Sequence, residues 1–203
     1  MIALNRDKVR RVVCGVDWGY THPGTLEVFA LDGEDRMYRV YEVYRSGKTI
    51  DWWVERGREI HAFYRVERFL CDPSEPAYIT AFQRAGLPAE PAYNGVAPGI
   101  QAVQQRLVKQ ADGLPRLFFL RNEGFGPDPA QLEKKLPVCL EDEVTAYVWD
   151  TAANRKKGEE PLKVNDHGMD SLRYAVCYVD GVGVNRYRPV SPPAPAMELP
   201  KLW

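Results

Sequence analysis

Val12-Val13-Cys14-Gly15-Val16-Asp17, Thr25-Leu26-Glu27-Val28-Phe29-Ala30-Leu31 and Met37-Tyr38-Arg39-Val40-Tyr41-Glu42-Val43-Tyr44 are three strand-like runs in close succession. The first is almost wholly apolar, as a strand buried on both faces requires. The other two carry polar interruptions, and Asp32-Gly33-Glu34-Asp35 between them is a turn signal. Together they predict an antiparallel meander. The period then changes: apolar or aromatic residues at 50, 53, 54, 57, 60, 61 and 64 predict a helix over 50–65. A fourth strand follows at 67–71, then helices at 75–85 and 97–110, a strand at 115–120 and a helix at 129–144. The stretch 145–164 reads as a hairpin whose tip carries Arg155-Lys156-Lys157-Gly158, and 166–179 as the last helix. This order predicts an α/β fold: a mixed central sheet flanked by helices on both faces, with a β-hairpin inserted before the last helix. Residues 1–181 then form one domain, and the proline-rich 182–203 a low-order tail or linker.

Composition narrows the class. A chain of 203 residues, 45% apolar and 27% charged, suits one globular domain with a substantial core. No uninterrupted apolar run approaches the roughly 20 residues of a membrane span, and the start lacks a secretory hydrophobic region. The expectation is an intracellular protein with no membrane partner. Lys and Arg number 27 against 28 Asp and Glu, so no global basic field attracts nucleic acid. Because non-specific DNA affinity comes from neutralising phosphates, a DNA enzyme of this balance needs local basic patches or a tethered partner. Cys14, Cys71, Cys139 and Cys177 show no CxxC spacing. They read as buried free thiols rather than as a zinc site or disulfides.

The acidic residues stand at structural punctuation points. Asp17 ends the first strand and Asp72 the fourth, while Asp166, His167 and Asp170 open the last helix. A carboxylate at a strand's end can face a cleft without the cost of a buried unpaired charge. On the helix, spacings of three and four residues put His167 and Asp166 on one face with Asp170. Asn165 is the expected N-cap. Leu172, Ala175, Val176 and Val179 form the other face, suited to docking on the sheet. Packed beside strands one and four, the helix would bring Asp170 to Asp17 and Asp72. Hard oxygen ligands converging from separate elements are what Mg²⁺ or Mn²⁺ requires, and His167 can add a nitrogen.

Each residue also has a structural reading: a turn cap at Asp17, an Asx turn at Asp72, a helix-end charge at Asp166. Asp166 fits that last reading better than metal contact, and His167 stays open between ligand and supporting residue. The conjunction of Asp17, Asp72 and Asp170 is what points to a metal-dependent phosphodiesterase using two ions.

Gly15-Val16-Asp17-Trp18-Gly19, Cys71-Asp72-Pro73-Ser74 and Asn165-Asp166-His167-Gly168-Met169-Asp170-Ser171-Leu172-Arg173-Tyr174 resemble the nuclease domain of tailed-phage terminase large subunits. The resemblance covers roughly residues 12–180. It implies a ribonuclease H-like fold, related to Holliday-junction resolvases, and Mg²⁺- or Mn²⁺-dependent endonucleolytic cutting of concatemeric viral double-stranded DNA during genome packaging. It places metal ligands at Asp17, Asp72 and Asp170, with His167 at a position that supplies a ligand in some relatives. It also implies an ATPase motor in the same full-length chain, portal and small terminase subunit as partners, and residence in the host cytoplasm, transiently at the procapsid and outside the finished virion. The motor is missing here, so the sequence reads as an excised C-terminal domain beginning at an introduced Met1.

Arg155, Lys156, Lys157 and Lys163 are the candidate DNA contacts, against the alternative of a solvated turn. Tyr20, Trp52, Trp53 and Trp149 read as packing residues. Three rival functions stay open. One is a resolvase or transposase nuclease on the same fold. Another is a silent module docking on portal or capsid. The third is an actin-like or sugar-kinase ATPase, because Asp17-Trp18-Gly19-Tyr20-Thr21 matches DxGxT. Arg45-Ser46-Gly47-Lys48-Thr49 resembles the tail of a phosphate loop, but Glu42 stands where GxxxxGK[ST] needs glycine.

Overall fold

A computed structural model of the chain describes residues 7–120, 124–146 and 164–183, together with Asn5. The meander forms as its alternation requires. β1 (Val9–Asp17) and β2 (Gly24–Asp32) pair antiparallel with Asp17 opposite Thr25, and β2 pairs with β3 (Met37–Arg45) with Glu27 opposite Glu42. After α1 (Ile50–Tyr64), β4 (Arg68–Cys71) returns parallel to β1, so that Val16 lies beside Cys71. The chain continues through α2 (Pro76–Arg84), β5 (Ala89–Pro91), α3 (Val96–Leu107), β6 (Leu117–Phe119), α4 (Pro129–Glu133), α5 (Leu140–Ala146) and α6 (His167–Asp180). The six-stranded sheet runs β5-β4-β1-β2-β3-β6.

Strand alternation splits the core in two. Val12, Cys14 and Val16 of β1 face Trp53, Ile60 and Tyr64 of α1 and Ile79 and Phe82 of α2. Val13 of β1, Phe29 of β2 and Leu70 of β4 face the other way, onto Val103 of α3, Leu140 of α5 and Leu172, Ala175 and Val176 of α6. Helices thus cover both faces. Each fully buried aliphatic side chain contributes about 1.5–3 kcal/mol, so the two layers hold the sheet rigid between them.

The same parity fixes the acids. Residues 13, 15 and 17 share the α6 face, as do 70 and 72. The Asp72 N–H donates to the Val16 carbonyl at 2.9 Å, which carries the β1–β4 ladder one residue beyond the strand. Gly15 is where α6 crosses β1: a Cβ there would lie 1.9 Å from the Ser171 carbonyl oxygen. The helix backbone therefore rests on the strand backbone, two residues before Asp17.

Several expectations are corrected. β5 has no counterpart among the expected strands, because three residues ending in a proline carry almost no strand signal. The expected helix at 129–144 is two helices. Lys135 takes a positive φ of 54° and Pro137 prevents helical continuation, so the chain breaks between α4 and α5. Thr145 and Ala146, expected to open the hairpin, close α5 instead. The rest of that hairpin, with Arg155, Lys156, Lys157, Lys163 and Trp149, lies outside the described residues, as do 184–203 of the tail. Tyr20, expected to pack, is 62% exposed, whereas Trp53 is buried. Cys14, Cys71 and Cys177 are buried free thiols, and Cys139 is half-buried. Among the described residues no helix is long and apolar enough to cross a membrane.

Candidate active site

Asp17 and Asp72 stand side by side at the ends of two neighbouring parallel strands, which lie about 4.8 Å apart. α6 lies over them. Its first residue, His167, places Nδ1 3.0 Å from Asp17 Oδ2. One turn on, Asp170 Oδ1 accepts from Arg173 Nε and Nη2 at 3.2 and 2.8 Å. Asp72 accepts from the Ser74 N–H at 3.0 Å, the Asx turn expected from Pro73. Asp166 is itself the N-cap of α6, and its carbonyl accepts the Asp170 N–H at 2.8 Å. Asn165, expected in that place, sits one residue earlier at a φ of 52°, a left-handed conformation asparagine tolerates better than most residues. The Thr25 hydroxyl donates to the His167 carbonyl at 3.2 Å and also meets the Ser171 hydroxyl, tying the helix start to the strand opposite Asp17.

The electrostatics are those of crowded acids. Burial pushes the Asp17 carboxyl up to about 7, against the hydrogen bond and charge of His167, while Asp170 and Asp72 add their repulsion. Burial opposes a charge on His167, but the hydrogen bond to Asp17 and the nearby Asp17, Glu143 and Asp166 outweigh it and raise the imidazole. The phenol of Tyr174 is driven up by burial and then by Asp170, Asp72 and Asp17 together. Tyr174 of α6 therefore lies within electrostatic reach of all three acids.

No family model and no curated protein matches the sequence. Solved structures do match the fold. The large terminase of a thermophilic bacteriophage superposes with a TM-score of 0.67 at 21% identity, over 88% of this chain and 42% of that one. The nuclease domain of the bacteriophage SPP1 large terminase, solved with bound Mn, gives 0.58 at 19% identity, over 88% of this chain and 93% of that domain. The P22 large terminase nuclease domain gives 0.57 at 15% identity, over 89% and 86%. The chain has the fold of large-terminase nuclease domains. That fold is ribonuclease H-like, and the chain spans less than half the length of the thermophilic phage's terminase while covering nearly all of the SPP1 domain.

On this terminase-type scaffold stands a buried acid that the sequence does not single out, Glu143 of α5. One oxygen accepts from the Tyr44 hydroxyl at 2.8 Å and the other from the Met169 N–H at 2.9 Å, so Glu143 holds the N-terminal turn of α6 that carries His167. Its partners lie 99 and 26 positions away, beyond any local signal. Burial pushes its carboxyl up to about 8, overriding those hydrogen bonds. The folded state thus keeps a proton that the unfolded chain releases in the ordinary glutamate range, so ionisation costs stability as pH rises towards 8. Thermal melts of the metal-free protein should fall across that window, and those of Glu143→Gln should be flatter. Parallel profiles for the two proteins would contradict this.

Asp17, Asp72 and Asp170 do not form a trio of oxygens within 4.8 Å of one another; among the described residues the trio meeting that limit is Glu42, Cys139 and Glu141. It borders a cavity of about 490 Å³ lined also by Arg39, Tyr44 and Phe125. A cation is already there. Arg39 Nη1 is 3.2 Å from Glu42 and Nη2 2.5 Å from Glu141. Burial holds the Cys139 thiol up to about 12. The hard oxygen donors of Asp17, Asp72 and Asp170, with Asp17 burdened by like charge, fit Mg²⁺ or Mn²⁺. The loop at 45–49 is not free for a phosphate: the Asp128 carboxylate accepts from the Ser46 N–H and hydroxyl at 2.6 and 2.7 Å.

Proposed function

We propose that the chain is a metal-dependent endonuclease cutting concatemeric viral double-stranded DNA during genome packaging. One observation supports the reading: on a terminase-type nuclease fold, Asp17 and Asp72 follow neighbouring parallel strands and α6, which carries Asp170, sets His167 Nδ1 3.0 Å from Asp17. Asp17, Asp72 and Asp170 would hold two Mg²⁺ or Mn²⁺ ions, with His167 as a further ligand or as the support of Asp17; Asp166 serves the helix end. When bound, such ions neutralise charge developing on the phosphate and lower the pKa of a water to about 7. The protein's own part is positional. β1 and β4 fix two carboxylates rigidly, and α6, held by Gly15 and Glu143, brings the third. His167 keeps Asp17 oriented and can exchange a proton with it.

Arg155, Lys156, Lys157 and Lys163 would take phosphates of the duplex and orient it without reading bases. A near-neutral chain grips DNA weakly, so the ATPase motor of the full-length protein, with portal and small terminase subunit, would supply the hold, in the host cytoplasm at the procapsid. Resolvase-type cutting on the same fold is the competing reading. With Mn²⁺, the chain is expected to cut plasmid and linear duplex without preference for a four-way junction. Cutting confined to the junction would favour the resolvase, and no cutting of either would sink both.

A further inference from the structure

We infer that Arg173, braced by Asn94, is the positioning residue for Asp170: a buried guanidinium that sets this carboxylate's orientation and thereby the affinity of the acidic cluster for a divalent cation. This rests on reading Asp17, Asp72 and Asp170 as metal ligands. Arg173 is 2% exposed. Two of its N–H groups converge on one oxygen, Asp170 Oδ1, and Nη2 also donates to Asn94 Oδ1 at 2.9 Å, with Nη1 3.4 Å from the Gly95 carbonyl. Asn94 Oδ1 accepts the Tyr174 hydroxyl as well, at 3.3 Å.

The arginine is seated from every side. Its guanidinium lies 4.8 Å from the Tyr174 ring centroid. Its aliphatic stem presses on α3 so closely that a Cβ on Gly99 would come within 2.4 Å of the Arg173 Cγ. Stability alone does not explain such a group, because a buried ion pair is often no better than well-packed apolar side chains. Direction does explain it. A planar fork anchored at its far edge by Asn94 fixes the angle of the carboxylate it holds, which the point charge of a lysine cannot do. It also sets a positive charge beside Asp170, an acid that repels Asp17.

The test is Mn²⁺ affinity of the whole chain without DNA, read from the paramagnetic resonance of free Mn²⁺. Losing a partner that orients a metal ligand typically costs 10–100-fold in affinity, so Arg173→Gln should bind about 10–100-fold more weakly, with Arg173→Lys recovering only part. Asn94 is exposed, so Asn94→Ala keeps the fold and the charge while releasing the brace; it should bind severalfold more weakly. A merely structural ion pair would lower the melting temperature in chelator and leave Mn²⁺ affinity alone. Wild-type affinity in Asn94→Ala, or in a folded Arg173→Gln, overturns the inference; if Arg173→Gln does not fold, Asn94→Ala decides. Asp170→Asn in the same titration separates the two levels. Undiminished affinity there overturns the metal reading itself, whereas loss there with none in Asn94→Ala overturns only the role of Arg173.

Discussion

Asp17→Asn is expected to lose Mn²⁺-dependent cutting of supercoiled plasmid by at least about a hundredfold while melting no lower than the wild type in chelator. The loss of activity follows from its proposed place as a direct ligand: even residues that only orient a ligand cost 10–100-fold when removed. The retained stability follows from the site. Asp17 is buried, 8% exposed, and its carboxyl is pushed up to about 7 by that burial and by Asp170 and Asp72. An acid whose folded pKa is raised costs stability progressively as pH rises from the ordinary carboxylate range to the folded value, the full cost is present above it, and an isosteric amide removes that cost. The variant should therefore hold or gain stability at pH 8 as it loses function. A core aspartate would behave in the opposite way, destabilising the protein when replaced. Undiminished cutting, or a clear drop in melting temperature with partial activity, would contradict the assignment.

Gly15→Val should be the most damaging substitution outside the acids. A Cβ at 15 meets the backbone of α6, with the Ser171 oxygen at 1.9 Å and its carbonyl carbon at 2.6 Å. No rotamer change relieves a clash with backbone, so α6 must lift from β1. Overpacking a core costs about 1–3 kcal/mol and occasionally more. Here the upper end, about 3 kcal/mol, corresponds to a melting temperature lower by about 6–12 °C for a domain of this size. Lifting α6 also withdraws His167 and Asp170 from Asp17, so whatever fraction stays folded should cut poorly. Gly33→Ala is the control. Its nearest new neighbour would be the Arg10 Nε at 3.6 Å, so both stability and activity should stay close to wild type. Equal melting temperatures for the two variants would refute the close crossing of helix and strand.

The features legible in sequence are those with a strong local period. The alternation of residues 12–44 gives the meander, and the apolar face of α6 gives its docking surface. Asp17 and Asp72 stand out because each follows an apolar run. What stays hidden is non-local. Gly15 reads as part of a motif, but its necessity comes from a helix more than 150 residues downstream passing over it. Glu143 reads as one more charge on a helix until Tyr44 and Met169 are seen around it. Arg173 at three residues from Asp170 looks like an ordinary helix pair; only its burial under α3 and its contact with Asn94 give it a role. The break at Pro137 has a local signal, but the apolar and polar residues on either side of it keep a helical spacing that argues for continuity.

The most direct test of the central claim is the position of bound metal. Crystals of the chain grown with Mn²⁺ and measured at the manganese absorption edge should show two anomalous peaks, with Asp17, Asp72 and Asp170 oxygens about 2.1 Å away. Peaks confined to the Glu42–Cys139–Glu141 trio, or none beside Asp17 at saturating Mn²⁺, would contradict the account.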